Sequence, residues 1–339
     1  MERCIQLAQL GAGNVAPNPM VGAVLVHEDK IIGEGYHKKY GEPHAEVNCL
    51  NSVAGKNKLL IKSSTMYVSL EPCAHYGKTP PCADLIIKNK IPGVVIGVMD
   101  IYKEVAGEGI RRLKEAGIKV VTGMLEEKCR ELNKRFFTFH QFRRPYIILK
   151  WAQSVNGKIG SGTGDRMLIS NEYSNRLVHK WRSEEAAILV GTNTALQDDP
   201  SLTTRLWKGN NPVRIIIDNA LKLPQSLKVF GTGSKTIIFN LLKNYQKENL
   251  QFIKMNADNY LNEMLQSLYQ LNIQSILVEG GAKTLQSFID AGFWDEARII
   301  TNENLFAENG ITAPKLNNAA PVSEQRFFSD AIRYYRNLQ

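Results

Sequence analysis

Short apolar runs in the first half of the chain alternate with stretches whose apolar positions recur every three or four residues. Residues 2–10 predict an amphipathic helix, and residues 21–26 and 31–36 predict a hairpin turning through His27-Glu28-Asp29-Lys30. A helical pattern at 44–53 precedes a strand at 66–70 and a helix at 83–88. Strands at 94–99 and 119–122 then flank a helix at 109–115. Pro145 ends this half, because the residue before a proline is pushed out of the helical region. Beyond it, β-rich runs at 146–152, 187–190, 213–217, 236–239, 275–278 and 297–301 are separated by helical patterns at 172–182, 259–271 and 282–291. The alternation predicts an α/β/α sandwich over residues 1–145, then a second α/β domain over 146–339 built on a mostly parallel sheet. A length of 339 residues suits two domains, each with its own core.

Composition narrows the class. Hydrophobic content of 43% and charged content of 22% are those of a globular protein. No apolar run approaches the roughly 18 residues that span a bilayer, and the first residues carry no signal-peptide pattern. A cytoplasmic protein without a membrane partner is expected. Two of the five cysteines have a metal role, described below, and Cys4, Cys49 and Cys129 are expected to stay reduced. The net charge of +9 invites a nucleic-acid reading, but its distribution does not support one. The first 145 residues carry 21 basic and 15 acidic side chains and the rest 21 and 18, and the densest basic run, 128–144, reads as a solvated face at the domain junction. So mild an excess suits a small phosphorylated ligand, with no nucleic acid expected. A homo-oligomer is also expected.

The sharpest chemistry lies in His44-Ala45-Glu46, Glu71-Pro72-Cys73 and Pro80-Pro81-Cys82. One imidazole and two thiolates from His44, Cys73 and Cys82 leave a tetrahedral Zn²⁺ with an open position for water. Glu46 is too close to His44 in sequence to be a fourth ligand and is placed to move protons. The order H-x-E…P-C…C is the signature of zinc-dependent nucleobase deaminases. His44 and Cys82 both fall at predicted helix starts, where the positive helix end favours thiolates. A structural zinc site would need a fourth Cys or His; His75 alone is near, in an inserted loop, and Cys49 reads as core. Eight residues separate Cys73 from Cys82, where nucleic-acid-editing deaminases keep C-x-x-C.

Two glycine-rich stretches in the second half invite a phosphate reading. Gly160-Ser161-Gly162-Thr163-Gly164 lacks the strand before and helix after that a dinucleotide fingerprint needs, and reads as a flexible turn. Leu277-Val278-Glu279-Gly280-Gly281-Ala282-Lys283-Thr284-Leu285 has both, and its free N–H groups, with the Lys283 charge, suit a phosphate.

The zinc motifs, the inserted loop between the cysteines, Ala16-Pro17-Asn18-Pro19-Met20-Val21-Gly22 and Gly33-Glu34-Gly35-Tyr36-His37 together resemble the bifunctional riboflavin-biosynthesis deaminase/reductase family. So do Lys150-Trp151-Ala152-Gln153-Ser154, Gly191-Thr192-Asn193-Thr194 and Asp198-Asp199-Pro200-Ser201-Leu202. The resemblance is dense over the first 125 residues and looser from 146 to about 292. It implies a cytidine-deaminase-like domain followed by a dihydrofolate-reductase-like one. The activity implied is deamination of a diaminopyrimidine ribosyl phosphate, then NADPH reduction of its ribosyl group. It further implies that Glu46 is catalytic and that Asn18, His37, Lys78 and Asp100 contact the first substrate. Gln153, Leu168, Thr194, Asp198, Asn219 and Gly281, Ala282, Lys283, Thr284, Leu285, Gln286 and Ser287 would line NADPH. Arg166, Arg182, Leu202, Arg205 and Glu279 would surround the second substrate, with arginines on its phosphate and Lys150 or Glu279 as its acid. The chain departs from the family's Asp-Pro-Asn-Pro at Asp100-Ile101-Tyr102-Lys103, so no contact is carried over onto Tyr102, and no site is assigned past Ala297. The competing readings are a nucleic-acid deaminase with a non-catalytic second half, and a chain with one silent half.

Overall fold

The structure is a computed structural model and describes residues 1–76, 80–102, 106–162 and 167–338. It divides into two compact units, Met1–Arg143 and Arg144–Gln339.

In unit 1 the elements run α1 (Glu2–Gln9), β1 (Gly22–His27), β2 (Lys30–Tyr36), α2 (Ala45–Ser52), β3 (Thr65–Leu70), α3 (Cys82–Lys88), β4 (Gly93–Val98), α4 (Glu108–Glu115), β5 (Lys119–Val121), α5 (Glu126–Leu132) and α6 (Lys134–Phe142). They build one five-stranded sheet in the order β2-β1-β3-β4-β5, antiparallel across β2-β1-β3 and parallel from β3 to β5. Strand residues alternate between two covered faces. On one face Leu25, Met66, Val68 and Ile96 pack under Cys49 of α2, Ile86 of α3 and Leu113 of α4. On the other Val24 meets Cys4 and Leu7 of α1, and a further cluster joins Leu70 and Val98 at the strand ends to Ile5 of α1, Cys129 of α5 and Phe136 and Phe137 of α6. Burial on both sides drives the sandwich and leaves the C-terminal ends of β3 and β4 as the place where polar loops converge.

Unit 2 follows as β6 (Tyr146–Ser154), β7 (Lys158–Gly160), α7 (Glu172–Glu184), β8 (Ala187–Gly191), α8 (Thr192–Asp198), β9 (Val213–Ile217), β10 (Thr236–Asn240), β11 (Tyr245–Lys247), β12 (Leu250–Lys254), α9 (Tyr260–Gln270), β13 (Ser275–Gly280), α10 (Ala282–Asp290), β14 (Glu296–Asn302), β15 (Ile311–Thr312), β16 (Ala319–Phe327) and β17 (Asp330–Asn337). Its ten-stranded sheet has the order β11-β12-β10-β9-β8-β13-β6-β14-β17-β16. The seven strands from β12 to β14 are parallel, as the apolar runs predict. β11, β16 and β17 join antiparallel at the edges. The β16–β17 hairpin has no expectation behind it, because β16 is exposed at most positions and carries no apolar alternation. α8 also goes unseen in sequence, being short and polar with only Ala195 buried. Among the described residues no helix is long and apolar enough to cross a membrane.

Candidate functional site

In unit 1, His44 is the N-cap of α2, and Cys82 opens α3 after the Pro81 cap. Cys73 lies past the end of β3. The fold brings all three together: His44 Nδ1 is 3.5 Å from both the Cys73 and the Cys82 sulfur, and the ligand atoms all lie within 4.8 Å of one another. A tetrahedral ion with Zn–S near 2.3 Å and Zn–N near 2.0–2.1 Å has an S···N edge of about 3.5 Å, so the donor set fits zinc in chemistry and spacing. His75 is not in the cluster, and Cys49 is fully buried in the core. The Cys82 N–H donates to the Cys73 sulfur at 3.3 Å. Hydrogen bonding from the Cys82 thiol pulls the Cys73 thiol well down against the opposing effect of burial, with His44 adding to the pull, while the same bond and burial push the Cys82 thiol up. Cys73 is thus the first of the pair to offer a thiolate.

Glu46, in the first turn of α2, is 3% exposed. Burial, reinforced by the Cys73 thiolate, raises its carboxyl to about 7. A carboxyl poised there takes up and releases a proton near neutral pH. His37 is also buried, with its ring edge-on to His44 at 5.4 Å between centroids. The Asn18 amide donates to His37 Nε2 at 3.1 Å, which leaves Nδ1–H to donate to the Pro43 carbonyl at 3.2 Å. Burial lowers the His37 pKa, so the ring stays neutral. Asp100, past β4, is 9% exposed and raised by burial to about 6. Lys78 lies outside the described residues.

In unit 2 a cavity of about 1150 Å³ opens over the C-terminal ends of the parallel strands, where ligands bind in such sheets. Two helix starts face it, α8 after Gly191 and α10 after Gly281. They are neighbours. A Cβ on Gly191 would lie 2.7 Å from Thr284 Oγ1, and one on Gly281 would lie 3.2 Å from Thr194 Oγ1. Gly281 also has φ +78°, which disfavours a side chain. Free N–H groups from two adjacent helix starts, with no Cβ in the way, fit the pyrophosphate of a dinucleotide. Leu168, Thr194, Asp198, Asn219 and Gly281, Ala282, Lys283, Thr284 and Leu285 all line the cavity. Three expected cofactor residues lie outside its lining. Gln153 is turned to Trp151 Nε1 and Thr301 Oγ1, Gln286 bonds Asp290 and the Lys315 N–H, and the Ser287 hydroxyl donates back to the Thr284 carbonyl.

Arg182, Leu202, Arg205 and Glu279 line the same cavity, and Arg166 lies outside the described residues. Glu279 accepts a bidentate pair from Arg182, at 2.7 and 2.6 Å, and stands 3.8 Å from the Lys150 ammonium. Burial alone would raise the Glu279 carboxyl; Arg182 and Lys150 outweigh it and hold it down at about 2. Burial lowers Lys150 in turn. Leu202 is buried at φ +52°, a costly conformation for leucine. Its loop is held by the buried Arg214, which donates to the carbonyls of Ser201, Val229 and Gly231. His179 is a cavity residue the sequence reading passes over. Its Nδ1 accepts from the Arg205 N–H at 2.9 Å, and burial with the Arg182 and Arg205 charges lowers it to about 4. Its place three residues before Arg182, on one helix face, was the available signal.

Two family patterns match the chain. One described as the cytidine and deoxycytidylate deaminase zinc-binding region covers residues 1–98, and one described as the RibD C-terminal domain covers 145–306. The chain is 42% identical to the riboflavin biosynthesis protein RibD of Aquifex aeolicus over 91% of its own length and 87% of the relative's. It is 32% identical to the Escherichia coli protein of the same name over 96% and 94%. Among solved structures, a diaminohydroxyphosphoribosylaminopyrimidine deaminase/5-amino-6-(5-phosphoribosylamino)uracil reductase of Thermotoga maritima superposes with a TM-score of 0.91 at 34% identity, covering 99% of this chain and 97% of that one. RibD of Acinetobacter baumannii does so with 0.90 at 29% identity, covering 100% and 98%.

Proposed function

Since the chain belongs to the RibD family of riboflavin-biosynthesis proteins, we propose that the His44/Cys73/Cys82 cluster and the unit 2 cavity are the two active sites of its bifunctional activity. The enzyme is a zinc-dependent aminohydrolase and an NADPH-dependent reductase. It removes the 2-amino group of a diaminopyrimidinone ribosylamine 5′-phosphate and then reduces the ribosyl group of the resulting aminouracil to ribityl. The observation that carries the first site is the S₂N cluster at tetrahedral spacing beside a buried carboxyl.

When bound, zinc supplies a Lewis acid that activates water against the carbon bearing the amino group. His44, Cys73 and Cys82 would hold it. Glu46 takes the proton that the attacking water gives up and passes it to the ring nitrogen; it then moves the remaining hydroxyl proton of the adduct to the amino group, which leaves as ammonia as the C–N bond breaks and C=O forms. Neutral His37, fixed by Asn18 and the Pro43 carbonyl, and the Asp100 carboxyl would orient the pyrimidine. In unit 2 the α8 and α10 starts would hold the NADPH pyrophosphate, and the cofactor supplies the hydride. Of the two acids expected there, Glu279 stays ionised and has no proton to give. The proton comes from Lys150, and Arg205 meets the substrate phosphate while Glu279 occupies Arg182. A nucleic-acid deaminase is not favoured, given the match of residues 145–306 to the RibD C-terminal domain. A homo-oligomer acting in the cytoplasm accompanies this proposal, and the exposed edge strand β16 supports self-association.

Incubation with the diaminopyrimidine phosphate tests it. Ammonia is expected without NADPH, and NADPH oxidation only after deamination. Glu46→Gln should slow ammonia release by about 10²–10⁴-fold with zinc retained. NADPH oxidation by the undeaminated substrate in that variant would contradict the order.

A further inference from the structure

Glu71 stands one residue past β3 and two before Cys73, and the chemistry above makes no use of its carboxylate. It is 4% exposed. Its N–H donates to the Val98 carbonyl at 3.0 Å, extending the β3–β4 ladder by a step. The side chain then reaches across the end of β4. Oε2 accepts from the Asp100 N–H at 3.2 Å and from the Gly107 N–H at 3.1 Å, while Oε1 accepts from the Ile110 N–H at 3.2 Å. One carboxylate therefore gathers the Asp100 end, the Gly107 end and the first turn of α4. That helix has no side-chain cap from its own N-cap residue, so the negative charge of Glu71 does the capping. The packing behind it is tight: a Cβ on Gly109 would stand 2.0 Å from the Pro72 carbonyl oxygen. α4 thus rests directly on the residue joining Glu71 to Cys73. Asp100 leaves this clamp with its Oδ1 accepting from the Tyr102 N–H at 2.9 Å.

We propose that Glu71 is a positioning residue for deamination, holding Asp100 in register with the zinc ligand Cys73 so that a pyrimidine bound by Asp100 is presented to the metal cluster. This rests on the reading of Asp100 as a substrate contact. Charge-assisted bonds to three backbone N–H groups need both carboxylate oxygens. A carboxamide offers one acceptor and turns an NH₂ against the remaining donors. Glu71→Gln keeps the shape and breaks the clamp.

The test uses the full chain and measures bound zinc, the kinetics of ammonia release, and NADPH-dependent reduction of supplied aminouracil phosphate. Glu71→Gln should raise the deamination KM about tenfold, the effect of one buried acceptor lost. Its kcat, its zinc content and its reduction rate should stay near wild type. Asp100→Ala should raise KM by a similar factor, and the double variant should be no worse than the larger single, because both act through one contact. If Asp100→Ala raises KM and Glu71→Gln does not, the positioning role fails alone. A silent Asp100→Ala removes the substrate-contact reading and the proposal with it. Additive effects in the double variant, or loss of zinc or of soluble chain in both Glu71→Gln and Glu71→Asp, would also overturn it.

Discussion

Single side chains in this protein draw their chemistry from burial set against one or two charged neighbours. Glu46 and Glu279 are both buried glutamates, yet the first is raised to about 7 and the second held at about 2. The difference is the partner. Glu46 faces a thiolate, which disfavours a second negative charge, whereas Glu279 lies between Arg182 and Lys150. Because folding lowers the Glu279 pKa from its ordinary value of 4.5, its contribution is present above that pH and is lost as pH falls from there toward about 2. The reductase unit should therefore be insensitive to this group between pH 5 and 8, near-neutral conditions lying above its titration. Glu279→Gln leaves two buried cations without a counter-charge and should cost about 3–5 kcal/mol of stability at neutral pH. Urea unfolding followed by tryptophan fluorescence would measure it, and adding Lys150→Met should restore part of the loss.

At the scale of elements, both sites stand where strands end and helices begin. The N-terminal turn of α2 carries His44 and Glu46, α3 carries Cys82, and the starts of α8 and α10 face the unit 2 cavity. The turn from β13 into α10 depends on Gly281 at φ +78°. Gly281→Ala should strain that turn by about 1–3 kcal/mol and press a methyl group against Thr194 Oγ1, disturbing the two helix starts that would hold the phosphate. NADPH affinity, read by quenching of tryptophan fluorescence, is expected to fall about tenfold or more. Ammonia release from the diaminopyrimidine should be unchanged in the same variant; a parallel loss would mean that the substitution disrupts more than the turn. The strand–Gly-Gly–helix pattern is legible in sequence because it is local. That Gly191 and Gly281 lie side by side is not, since it follows from β13 inserting between β8 and β6.

The whole molecule consists of two units with separate sheets and separate cores. Zinc held by His44, Cys73 and Cys82 would link α2, α3 and the segment after β3, and all three of these residues lie in unit 1. Removing the metal with a chelator should abolish ammonia release and lower the melting transition of unit 1 by mass action. Reduction of supplied aminouracil phosphate should persist. Differential scanning calorimetry with and without chelator reads the first effect, and NADPH absorbance the second. A loss of reduction in step with zinc would show that the second activity depends on the folded first unit.

The His44, Cys73 and Cys82 donor set, the proton-moving role proposed for Glu46 and the α/β reading of both halves came from the sequence alone. Metal chemistry admits few donor types, and apolar periodicity reports burial directly. The resemblance of the motifs extended that to the substrate and the nicotinamide cofactor. What only the tertiary structure decided joins residues distant in the chain. Glu71 grips N–H groups 29 to 39 positions away, Arg182 and Glu279 meet across 97, and β16 closes the sheet with hardly any apolar signal. Such contacts depend on strand order and register, which are set by how the cores fill, and no local pattern encodes them.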